Sequence, residues 1–166
     1  MLLIGILAMK ILFSGSLILA LVLLSSTSNA QVQGPFPSIN IGGVNMYCTT
    51  TQGQTAAIYI DPSVNQYIGR ASHNGFPVIQ LGPGFFNSVP GFVGQFWFLH
   101  ECAHHVVGSS EAEADCFAIQ NMRNLGLINH PNQVHILLNQ ISQMSGSFTH
   151  LPGPPRAQNI FNCLLS

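Results

Sequence analysis

Charge is scarce in this chain. Its 166 residues include only four basic and five acidic side chains, and its single lysine is Lys10. With no basic patch and no run of like charge, it lacks the electrostatic footprint of a nucleic-acid binder. Solubility must therefore rest on Asn, Gln, Ser and Thr. Of the four cysteines, no two stand in a CxxC pair, which argues against a cysteine-built zinc site. No internal repeat is present, and the length suits one domain.

The scarce charge is also unevenly spread. Residues 98–117, FLHECAHHVVGSSEAEADCF, hold four of the five acids (Glu101, Glu111, Glu113 and Asp115) and three of the seven histidines. The surrounding residues read apolar, so this concentration needs a chemical reason.

At the N-terminus, residues 11–24 form an apolar run with Lys10 in front and SSTSNA behind. That order of charge, apolar core and small residues is the pattern of a secretory signal peptide. Ser28 and Ala30 suit cleavage, so residues 1–30 are expected to be a signal peptide and residues 31–166 the working domain. Met9-Lys10 makes a better start than Met1. The alternative is a retained membrane anchor, which is the only route by which a membrane becomes a partner. Export, to a periplasm or beyond the cell, puts all four cysteines in an oxidising compartment and suggests two disulfides. Of three possible pairings, the expected one joins Cys102 to Cys116 and Cys48 to Cys163.

Along residues 31–166 the hydrophobic period changes once. VNMYCTT and TAAIYI flank TQGQ as a hairpin, and FPVIQL follows the turn dipeptide Asn74-Gly75, with Pro77 marking an edge strand. From Pro90 the period is helical, with Phe92, Val93, Phe96, Leu99, Ala103 and Val106 on one repeat until Gly108. Ser110 and Glu113 form a capping box that opens a second helix, ending near Leu125 before Gly126. A third helix begins at Pro131, and the tail starts as loop and closes with a short helix. The expected fold class is α+β: a small N-terminal antiparallel sheet, then a zincin-like helical half.

His100, Glu101, Cys102, Ala103 and His104 spell HExxH. Four helical residues advance about 400°, so His100 and His104 emerge on one face, a turn apart, where two imidazoles can grip one ion. Glu101 lies about 100° round the axis, suited to a water beside the ion rather than to ligation. A catalytic zinc needs a third protein ligand. Glu111 is expected to supply it, because the Gly108-Ser109-Ser110 turn lets the second helix fold back on the first. Asp115 shares Glu111's face and suits an acceptor for an imidazole N–H. Glu113 is explained by the cap. His105 points elsewhere, His73 and His130 read as turn residues, and His135 sits on a polar face. Phe92, Phe96, Trp97 and Phe98 read as core.

HECAHH followed by EAEAD resembles the gluzincin metallopeptidases, in particular the family of the CAAX prenyl proteases and HtpX-like heat-shock proteases, with HExxH followed by ExxAD. The resemblance implies that His100, His104 and Glu111 hold Zn2+, that Glu101 is the general base and that Asp115 supports a ligand. THLPGPPRA, residues 149–157, is similar to that family's THPPxxxRI segment. This implies His150 as a catalytic donor to the oxyanion and Arg156 as its support. The chain departs from the family in having only six residues between His104 and Glu111, and in Leu151, which interrupts the His-Pro pair. The short-spacer ImmA/IrrE-like group shares the HExxH and ExEA elements but usually carries Asn where this chain has Asp115.

The function expected is therefore an exported zinc metallopeptidase acting on a peptide or protein substrate. A rival from another class is a non-catalytic or latent zinc module, which the short spacer and small size favour. An open or a closed fourth position on the metal separates the two.

Overall fold

A computed structural model of the chain describes residues 31–64, 68–146 and 150–166. The expected leader over residues 1–30 lies outside these, as does Thr149. Among the described residues, six strands come first: β1 (Gln33–Phe36), β2 (Ile39–Ile41), β3 (Val44–Met46), β4 (Ala57–Ile60), β5 (Gly69–His73) and β6 (Pro77–Leu81). Five helices follow: α1 (Pro83–Phe86), α2 (Gly91–Ala103), α3 (Glu111–Asn124), α4 (Pro131–Ser142) and α5 (Gly153–Leu165). The arrangement is α+β, with the strands in the N-terminal half, as the sequence indicates.

Strand composition explains the sheet order, β1-β4-β6-β5. Ile58 of β4 and Ile79 and Leu81 of β6 are fully buried, so these two strands take the middle. GRASH and QGPF offer little to bury and take the edges, where glycine, proline and charge are tolerated. β4 and β6 run parallel, with Ala57 opposite Val78 and Ile60 opposite Leu81, while β1–β4 and β5–β6 are antiparallel. The sheet is thus mixed rather than purely antiparallel. The edge-strand expectation for Pro77–Leu81 is corrected as well: β6 is interior, and Pro77 is accommodated as its first residue. The hairpin expected around TQGQ shrinks to one bridge, Thr49 to Thr55. β3 pairs instead with β2 in a separate two-stranded ribbon.

α2 lies at the centre. Every residue from Val93 to Ala103 is buried, because the sheet covers one side of the helix and α3 the other. Fully burying side chains such as Phe96 and Phe98 contributes roughly 1.5–3 kcal/mol each, which offsets the cost of taking His100 and Glu101 into the same helix. Regular helix ends at Ala103, with His104 as its C-cap, and tighter turns carry the chain on through Val106 and Val107 to Gly108. Gly108 has φ +86°, which lets α3 turn back. Ser110 caps α3 by accepting the Glu113 N–H at 3.4 Å. His130, read from sequence as a turn residue, caps α4 in a capping box with Gln133. The tail forms a full helix, α5, packed on α3 and α4.

The disulfides pair differently from the expectation. Cys48 joins Cys102, and Cys116 joins Cys163. On α2, Cys102 is two residues from His100 and so about 200° round the axis. It therefore faces away from α3 and meets the segment after β3. Cys116 in turn faces α5, so the second bridge ties those two helices. Two disulfides fit an oxidising, exported location. No helix among the described residues is long and apolar enough to cross a membrane.

Candidate metal centre

α2 and α3 bring the motif together. His100 Nε2 lies 3.1 Å from Glu111 Oε2, His104 Nε2 lies 3.6 Å from it, and His150 Nε2, from the segment before α5, lies 2.9 Å from it. Three ring nitrogens therefore converge on one carboxylate oxygen. The donor atoms of His100, Glu111 and His150 all fall within 4.8 Å of one another and could hold a metal ion. His104, expected from sequence as a ligand with His100 and Glu111, is not in that trio; His150 takes its place there, and His104 Nε2 stands beside it, 3.6 Å from Glu111 Oε2.

The far side of each α2 imidazole is anchored. His104 Nδ1 is 2.8 Å from the Gly108 carbonyl, which fixes the proton on Nδ1 and leaves the Nε2 lone pair toward Glu111. His100 Nδ1 is 2.9 Å from Asp115 Oδ1. That contact is short but not aligned as a hydrogen bond, and Glu111 Oε2 likewise is buried without an aligned donor. Buried polar atoms left in this state call for an explanation. A cation among the three rings and the carboxylate would supply one, and the donor set of imidazole nitrogen and carboxylate oxygen suits a divalent ion such as zinc.

Asp115 is held by Arg156 of α5, whose Nε and Nη2 donate to Oδ2 and Oδ1 at 2.7 and 2.8 Å. The guanidinium also stacks over Trp97, 4.9 Å from the ring centroid, and Trp97 meets His100 edge-on at 5.4 Å. Trp97 is thus core and part of the site's wall at once. Its place three residues before His100, on the same helix face, was the signal that could have marked it.

Electrostatics follow from this packing. Burial works to lower the His100 pKa, but Asp115 and Glu111 outweigh it and raise the ring to about 9. Contact with Glu111 raises His104 against the effect of burial. Burial pushes the Glu111 and Asp115 carboxyls up, yet the imidazoles, joined at Asp115 by Arg156, more than reverse this and both end low. Glu101 behaves oppositely. Burial raises its carboxyl, and the opposing pull of His100, His104 and the Ala71 backbone N–H does not cancel that. His150 and His105 are both lowered, chiefly by burial.

These groups line an open cleft of about 660 Å³. It is lined by residues 68–73, including β5, by α2 residues from Trp97 on, and by Met144, Ser145 and His150. His73 and His105 also line it, with His105 Nε2 3.0 Å from the Val78 carbonyl. The role of β5 was not visible in the sequence, because GRASH carries no apolar alternation. Every site residue expected from sequence lies in this cleft or directly behind it, apart from the four cysteines, which brace its helices. Comparison of the chain with protein-family models, curated proteins and solved structures finds no match.

Proposed function

We propose that the protein is an exported metal-dependent peptidase. The observation that carries the reading is the convergence of three imidazole nitrogens on Oε2 of the half-buried Glu111 carboxylate, in an open cleft that also holds Glu101. His100, His104 and Glu111 would hold zinc. When bound, such an ion polarises a carbonyl and acidifies water.

The chain's own residues supply the rest. Glu101 is buried, and burial raises its carboxyl above the ordinary carboxylate value, the direction in which a general base is tuned. It takes a proton from the attacking water and delivers it to the departing amine. Asp115 and Arg156 orient His100 from behind. β5 is an edge strand along the cleft, so an extended peptide can add to it by backbone pairing. The pairing strand is thus Gly69–His73, because Pro77–Leu81, expected from sequence as the edge, is interior. His150, whose Nε2 lies 2.9 Å from Glu111 Oε2, would turn that nitrogen to a developing oxyanion.

The test is metal analysis of the purified chain together with cleavage of an unbiased peptide library, with and without chelator. Chelator-sensitive cleavage that disappears in Glu101→Gln, with the metal still bound, supports the reading. Undiminished cleavage by that variant rules out the base.

A second reading is favoured by the position of His150. At 2.9 Å from Glu111 Oε2 it can serve as a fourth protein donor, which would give a closed site of the structural or latent kind. The visible spectrum of the cobalt-substituted protein separates the two. A spectrum altered by His150→Ala assigns the ring to the metal, whereas an unchanged spectrum leaves it to the substrate.

A further inference from the structure

We infer that Gly69 is a positioning residue for Glu101: the missing side chain on the cleft-side edge strand leaves the space in which the carboxylate of the α2 glutamate rests. The inference rests on the peptidase reading of the site and adds to it a residue outside HExxH.

The geometry is local. A Cβ built on Gly69 would lie 3.0 Å from Glu101 Cγ, 3.4 Å from Glu101 Cδ and 3.1 Å from the Gln80 carbonyl oxygen. Gly69 is not among the glycines with positive φ, so its backbone would accept any residue. Space, not conformation, is what a side chain there would violate. Neither strand nor helix is free to retreat. Gly69 is in register with Leu81 of the interior strand β6, and Leu81 is fully buried. Glu101 sits near the C-terminal end of the buried stretch of α2, with Phe98 before it and Cys102 after it packed in the core. The movable part is the Glu101 side chain, and it is 7 % exposed. Two residues along β5, the Ala71 backbone N–H acts on the same carboxylate. A glycine inside a strand otherwise weakens it, and a close approach by a neighbour is one of the accepted reasons for its presence.

The experiment uses the full chain, loaded with one equivalent of zinc, as Gly69→Ala and Gly69→Val. Zinc stoichiometry should match the unsubstituted protein, because the imidazoles and Glu111 are untouched. Substrate pairing with β5 would use main-chain groups, which the substitutions leave in place, so KM is expected to change less than kcat. Displacing a reacting group by about 1 Å costs on the order of 100-fold, so kcat is expected to fall roughly tenfold for alanine and about 100-fold for valine. A merely structural glycine would not split kcat from KM in this way.

A second measurement needs no activity. In the metal-free chain, the drop in thermal midpoint caused by Gly69→Val is compared in the native and Glu101→Ala backgrounds. The Gln80 carbonyl contact is common to both and cancels, so crowding against Glu101 appears as a smaller drop in the Glu101→Ala background. Equal drops overturn the inference. So does an unchanged kcat in Gly69→Val when Glu101→Gln is inactive. If the unsubstituted protein cleaves nothing, the peptidase reading falls by itself, and the midpoint comparison still decides whether Gly69 makes room for Glu101.

Discussion

Arg156 and Asp115 meet in a buried, two-pronged ion pair, with both guanidinium nitrogens within 2.8 Å of the carboxylate. The pair joins α5 to α3 directly behind His100. Removing the cation by Arg156→Met would strand a carboxylate that is almost wholly shielded from water, and breaking such a pair typically costs about 3–5 kcal/mol. Arg156→Lys keeps the charge but not the fork and should cost less. Urea denaturation of the metal-free chain measures both. Loss of the support behind a ligand typically lowers metal affinity by about 10–100-fold, which competition with a chromogenic chelator will read. A stability loss under about 1 kcal/mol in the methionine variant would contradict the pairing.

The disulfide pattern is checked by digestion without reduction. After Lys10 the chain has only Arg70, Arg123 and Arg156 as tryptic sites. Cys48 then lies in the peptide ending at Arg70, Cys102 and Cys116 in the peptide 71–123, and Cys163 in the peptide 157–166. Bridges Cys48–Cys102 and Cys116–Cys163 hold all three peptides in one species. A further cut at Glu111 or Glu113 should divide that species into two linked pairs, one containing Cys48 with Cys102 and the other Cys116 with Cys163. Release of 71–123 as a free peptide would restore the pairing first expected from sequence.

That expectation failed for a physical reason that also marks how far the sequence is legible. HExxH, Glu111 and Asp115 can be read because they are separated by one helical turn, or by one short loop and a turn, and helix geometry fixes their directions. The convergence of His100, Glu111 and Asp115 follows from those local rules alone. Disulfide partners 54 and 47 residues apart depend on how α2 and α5 pack, which no local period encodes. The same limit hid the roles of β5 and β6. FPVIQL looks like a strand, but only its parallel partner β4, reached through a crossover, makes it interior. Gly69, in a segment without apolar alternation, gave no signal until α2 was seen beside it.

Gly153 tests how α5 is seated. A Cβ there would overlap the Ser142 carbonyl and come within 2.6 Å of the Ile141 oxygen, so the end of α4 and the start of α5 touch backbone to backbone. These are not flexible side-chain ends that could swing away. Gly153→Ala should therefore destabilise the fold by about 1–3 kcal/mol, the usual range for overpacking. Because α5 carries Arg156, metal affinity should fall with it. Thermal unfolding and chelator competition on this one variant check both, and full stability would mean that the helices are not so closely apposed.

Metal uptake should expel protons, and the sign follows from His100. Its ring, lowered by burial but raised more by Asp115 and Glu111, reaches about 9 in the metal-free protein, so it is protonated at neutral pH. Ligation needs the neutral ring. Zinc binding at pH 7 should therefore release about one proton from His100, and the upward shift of His104 acts in the same direction. Calorimetric titration in buffers of different ionisation enthalpy counts them. Without metal, a ring whose folded pKa lies above its ordinary value of 6.5 contributes stability that is complete below 6.5 and lost as pH rises through about 9. Asp115 acts in the other direction, contributing above its ordinary 3.8 and losing that contribution as pH falls. The metal-free chain should therefore weaken from about pH 6.5 to 9, while zinc binds more tightly over the same interval. The zinc-induced rise in thermal midpoint should grow with pH across that window. A rise that shrinks, or a binding heat independent of the buffer, would remove His100 from the ligand set.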